Sequence, residues 1–189
     1  MVVTALALTA GAARAEVLRL GEAAEVVRAA ERVVPESDGL LFPISPLPTC
    51  EVLNNFGGYS KAFGPGGHQG LDIGADLGQV VYAVESGMLV RRVDGTSSGR
   101  GWELLSDTDN RYRYYHLDTW TDGLDVGDIV RRGQVIGTVG DTGNATPGGY
   151  HLHFEVRPGP QPQSGSADPV DPVPLLDIPE SCRLYPPVR

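Results

Sequence analysis

Between residues 51 and 158 the apolar positions come in short runs separated by Gly, Ser, Asp and Asn. Val80, Val81, Tyr82, Ala83 and Val84 form a continuous run of the buried type, and Met88 to Val93 follows after Ser86-Gly87. Trp102 to Leu105 and Arg111 to His116 straddle the polar stretch Ser106–Asn110, which is a hairpin signal. Ile129-Val130 and Gln134 to Val139 flank Arg131–Gly133, and His151 to Val156 closes the series. Strands this short, with turns this frequent, predict an all-β fold: an antiparallel β-sandwich or a partly open barrel.

The flanks follow other patterns. Residues 16–34 place Val17, Leu20, Ala24 and Val27 at helical spacing, predicting a short N-terminal amphipathic helix that Pro35 ends. Pro35, Pro43, Pro46 and Pro48 make the rest of 16–50 an extended Pro-rich linker. The tail from Pro158 is also Pro-rich and is expected to wrap the domain. The first fifteen residues are apolar and end in Ala13-Arg14-Ala15, which suits a signal-peptide cleavage site and predicts export. That run is too short to span a bilayer, so stable membrane insertion is not expected. The expected organisation is 1–15 signal peptide, 16–50 helix plus linker, 51–176 strand-rich domain and 177–189 tail.

Composition sharpens the picture in two places. The net charge of −9 has no basic patch to offset it, and Lys61 is the single lysine, which argues against nucleic acid as a partner. Cys50 and Cys182 bracket the strand-rich region and lie in no C-x-x-C, so they read as an intramolecular disulfide in an exported, monomeric protein.

All four histidines fall in three motifs: His68 in HQGLD with Asp72, His116 in YYHLD, and His151 with His153 in HLHFEV. In a strand, alternate residues share a face, so His151, His153 and Glu155 lie opposite the apolar Leu152, Phe154 and Val156. His68 and Asp72 would stand about 13 Å apart on a straight strand, too far to share an ion. The glycines around them call instead for a bent loop running into a strand. Tyr112, Tyr114 and His116 are expected on one face. A catalytic zinc site needs three protein ligands and an open position. His68, Asp72 and one of His151 or His153 can supply the ligands. His116 and the remaining histidine then serve as acid–base groups. No H-E-x-x-H glutamate is present, which is consistent with histidine as the base.

GGHQGLDIGADLGQVVYAVESG, YRYYHLD, VGDIVRRGQVIGTVGDTGNATPGGYHLHFEV and DPVPLL resemble, in order and spacing, the lysostaphin/LytM-type zinc endopeptidases of peptidoglycan. The resemblance covers about residues 56–176. It implies the LytM (duplicated hybrid motif) fold, with zinc held by His68, Asp72 and His153. It further implies catalytic assistance from His116 and His151, and peptidoglycan peptides as substrate at a periplasmic, cell-wall or extracellular location. By position, the walls of the implied groove are Tyr59–Gly67, Gly95–Gly101, Leu117–Leu124 and Thr142–Tyr150. Two other functions compete. A silent activator of another wall hydrolase need not bind zinc. A biotinyl or lipoyl carrier needs a lysine at a hairpin tip, and Lys61 lies in neither candidate hairpin.

Overall fold

A computed structural model of the chain describes residues 39–58, 67–159 and 167–188. The expected signal peptide and helix lie outside the described residues, as does most of the first wall segment. Among the described residues, ten strands hydrogen-bond into one sheet. They are β1 (Glu51–Val52), β2 (Leu71–Gly74), β3 (Val80–Tyr82), β4 (Gly87–Gly95) and β5 (Gly99–Ser106). Then follow β6 (Arg111–Trp120), β7 (Ile129–Val130), β8 (Val135–Val139), β9 (His151–Arg157) and β10 (Arg183–Leu184). The sheet is open and antiparallel except where β10 runs parallel to β1.

β6 is the hub. Its first half, Arg111 to Tyr115, pairs with β9, while Leu117 to Trp120 pairs with β8. Arg111 to Leu117 also pairs with β5. The change of partner falls at His116, whose φ is +62°. That left-handed conformation is uncommon for a residue with a side chain and breaks the period-two alternation. Tyr112 and Tyr114 point into the core as expected. His116 does not share their face; it is turned toward the cavity that Tyr115 also lines.

The core follows from the alternation. Leu71 and Ile73 on β2 meet Leu152 and Phe154 on β9, all fully buried. Tyr112 stacks on Phe154 with centroids 6.1 Å apart. The polar tips of the large buried rings have partners: Trp102 Nε1 donates to the Ile136 carbonyl, and Tyr114 Oη accepts from the Val84 amide. Satisfied tips remove the penalty that burying them would otherwise carry.

Residues 39–50 are extended, but they pack against the sheet. Leu40 bridges Leu176, Ile44 bridges Val81, and Phe42 and Ile44 are buried. A disulfide joins Cys50 to Cys182 across a sequence separation of 132, directly beside the β1–β10 pair. Replacing both cysteines by Ser is expected to lower the free energy of unfolding by about 4–5 kcal/mol, since the released loop is long. Denaturant unfolding of the oxidised parent and the double variant measures this.

Candidate metal centre

β2 and β9 pair so that Asp72 lies opposite His153, and Gly74 opposite His151. Because Leu71, Ile73, Leu152 and Phe154 take the core face, Asp72 and the two histidines take the other. His68 reaches them from the loop before β2. Its amide donates to the Gly58 carbonyl, its own carbonyl accepts from the Gly57 amide, and the chain turns at Gly67 with φ +68°. A Cβ at Gly67 would lie 2.7 Å from the Gly57 carbonyl oxygen, so glycine is needed there.

The bend brings three donor atoms together. His68 Nε2 is 3.2 Å from Asp72 Oδ1, His153 Nδ1 is 3.1 Å from the same oxygen, and the two nitrogens are 3.0 Å apart. A tetrahedral shell with bonds of about 2.0–2.1 Å has edges of about 3.3 Å, so this triangle suits a zinc-sized ion with one position open. Its electrostatics fit as well. Burial opposes the charge on Asp72, but hydrogen bonds from His153 and His68 outweigh it and hold the carboxyl well below its ordinary range. Burial lowers His153, yet its bonds to Asp72 and Glu155 prevail and raise it to about 9. The pocket therefore attracts positive charge, which a divalent cation supplies in place of a proton.

The neighbours hold each ligand in place. Asn55 Nδ2 donates to Asp72 Oδ2 at 2.8 Å and Asn55 Oδ1 accepts from the Asp72 amide, which leaves Oδ1 facing the histidines. The His153 ring stacks on Tyr115 with centroids 5.9 Å apart and planes 8° apart. Its other edge faces Gly70, where a Cβ would come within 2.6 Å of Nε2.

His116 and His151 complete the site. His116 Nδ1 lies 2.7 Å from the Thr142 carbonyl, and His151 Nδ1 2.7 Å from the Gly149 carbonyl. A carbonyl only accepts, so each Nδ1 carries a proton, and the neutral form of either ring has its lone pair on Nε2. Burial lowers His116 to about 4, against the raising effect of its Thr142 bond. His151 Nε2 is 3.9 Å from Asp72 Oδ1, and the His116 and His151 rings are 4.7 Å apart. All five expected site residues thus line one cavity of about 460 Å³.

The walls agree with expectation in part. Ser97 and Ser98 form one side, and Asn144, Ala145 and Thr146 another. They lock together: the Asn144 amide donates to the Ser97 carbonyl, and Gly99 and Gly143 approach so closely that a Cβ on either would clash with the other segment. Leu117–Leu124 does not line this cavity. Leu117 is buried, Thr119 pairs with Thr138 and Trp120 Nε1 bonds to the Gly101 carbonyl, because β6 continues through them. Sequence reasoning missed the supporting roles of Asn55, Tyr115 and Thr142. It put Glu155 on the histidine face without giving it a task, although the H-x-H-x-E alternation carries that signal.

A model of peptidase family M23 matches residues 66–172. The chain belongs to this family. The L-Ala–D-Glu endopeptidase of Bacillus subtilis is 34% identical over 119 residues, covering 58% of this chain and 36% of the relative. The chain thus spans well under half the length of that curated relative. Among solved structures, the catalytic domain of the antimicrobial peptidase lysostaphin from Staphylococcus simulans aligns with a TM-score of 0.56 and 30% identity, over 66% of this chain and 90% of that one. A zinc-containing peptidase from Vibrio cholerae aligns with a TM-score of 0.52 and 26% identity, over 62% of this chain and 36% of that one. The all-β sheet described above is therefore of the LytM type found across M23 domains.

Replacing Gly70 by Ala is expected to push the His153 ring off the donor triangle. Metal analysis of the purified variant should show loss of a divalent ion that the parent retains; the same Cβ would lie 2.7 Å from the Phe154 carbonyl oxygen, so β9 must also shift locally.

Proposed function

We propose that the chain is a zinc-dependent endopeptidase that hydrolyses peptide bonds of peptidoglycan, with His68, Asp72 and His153 as zinc ligands and His116 and His151 as catalytic residues. One observation carries this: a donor triangle and two imidazoles with outward Nε2 lone pairs share a single cavity. The donor set suits zinc, and one structural relative is described as zinc-containing. When bound, zinc supplies a Lewis acid for the peptide carbonyl and acidifies a water molecule.

The chain's own groups do the rest. His116 is neutral at physiological pH and its Nε2 accepts a proton from the attacking water. The Thr142 carbonyl orients the ring and steadies the imidazolium that forms. His151, in ring contact with His116, faces the donor triangle through Nε2, whose lone pair orients the attacking water, and the His116 imidazolium returns its proton to the leaving amine. Ser97, Ser98 and Asn144 offer polar groups along which an extended peptide backbone can lie.

The Bacillus relative is named for cleaving between L-Ala and D-Glu, and a stem-peptide or cross-link bond is the proposed target here. Export to the periplasm, cell wall or exterior is proposed from the disulfide, since such bonds persist in oxidising compartments. Among the described residues no helix is long and apolar enough to cross a membrane. The protein is proposed to act as a monomer, with 51–176 as the catalytic domain. A silent activator would have no use for a complete ligand and acid–base set, which this chain keeps.

Replacing His68 or Asp72 by Ala is expected to abolish both zinc binding and hydrolysis of defined muropeptides followed by mass spectrometry. Replacing His116 by Ala should leave zinc content unchanged and slow turnover by about 100- to 10,000-fold, the usual worth of a general base. Full turnover by a metal-free preparation would falsify the mechanism.

A further inference from the structure

His153 can present Nδ1 to a metal only while its Nε2 proton has a partner and its ring cannot swing. The partner is Glu155, whose Oε1 lies 3.2 Å from His153 Nε2 on the same strand face. Glu155 is buried, and its second oxygen is held in turn. Arg157 Nε donates to Oε2 at 2.7 Å and Arg113 Nη1 donates to it at 3.2 Å. A carboxylate gripped on one oxygen by two guanidinium groups has its other oxygen aimed. Arg157 reaches further: its Nη2 donates at 2.6 Å to Oε1 of Gln69, the residue that follows His68. One buried guanidinium therefore touches both sides of the donor triangle, the β9 side through Glu155 and the loop side through Gln69.

We propose that Glu155 is a positioning residue that fixes His153 as an Nδ1 ligand, and that Arg157 couples this anchor to the loop bearing His68. The proposal rests on the reading of His68, Asp72 and His153 as zinc ligands. Outer-shell partners of ligating histidines usually hold both the tautomer and the ring orientation, and losing one weakens metal binding about 10- to 100-fold.

The test measures zinc affinity of the full chain by competition with a chromophoric chelator. Glu155→Gln keeps the shape, but its amide nitrogen would face two guanidinium groups; it is expected to weaken zinc about 10- to 100-fold. Gln69→Ala changes an exposed side chain and should weaken it about 3- to 10-fold, as for one lost hydrogen bond. Arg91→Ala removes an exposed partner of Glu103 elsewhere in the same charged face and should leave affinity unchanged. Imidazole ¹H–¹⁵N spectra of the zinc-loaded parent should show His153 protonated at Nε2, and that signal should shift or broaden in Glu155→Gln. If Glu155→Gln fails to fold, Gln69→Ala decides alone. Affinities within two-fold of the parent for the folded variants would overturn this proposal and leave the zinc site standing. A parent that binds no zinc would overturn both.

Discussion

The site depends on the register between β2 and β9. Asp72 stands opposite His153 because the two strands pair antiparallel at that step. The same step puts Leu71, Ile73, Leu152 and Phe154 together on the core side, all fully buried. A slip of one residue would turn the apolar set out and the ligands in. Hydrophobic burial and metal geometry therefore select one pairing, and the stronger force protects the weaker requirement. Four buried apolar side chains at about 1.5–3 kcal/mol each far exceed what the polar face could recover by itself.

His116 needs a second kind of constraint. A strand with unbroken alternation would send it into the core with Tyr114. Its positive φ turns it out where β6 leaves β9 and takes up β8. A conformation of this kind costs about 1–3 kcal/mol and survives only where the surroundings over-determine it. Here they do: the His116 amide donates to the Ser98 carbonyl, its carbonyl accepts from the Gly140 amide, and its ring is tied to Thr142. The close contact of Gly99 with Gly143 holds those two walls at the right separation.

Much of this was legible in the chain. Short apolar runs located the strands, and their period placed His151, His153 and Glu155 on one face. The glycines around His68 predicted the bend that closes a 13 Å strand spacing to a contact. Residues 39–50 look like a linker because proline is abundant there. Yet Phe42 and Ile44 are apolar enough to be buried, so the segment packs instead of spanning open solvent. Leu117–Leu124 was expected to be a groove wall, since the strand pattern of Arg111–His116 stops at His116. In the fold that point marks a bulge, and β6 continues to Trp120.

By itself, the sequence determined the residue types of the site, the strand periodicity that sorts them from the core, and the two cysteines able to close the domain. Those are local properties, set by side-chain chemistry and backbone geometry within a few residues. Only the tertiary structure decided which nitrogen of His68, His151 and His153 faces Asp72, how His116 escapes the core, and that Glu155, Arg157 and Asn55 stand behind the ligands. Each of those depends on hydrogen bonds between residues far apart in the chain. Spacing within a motif carries no information about partners that come together only when the sheet forms.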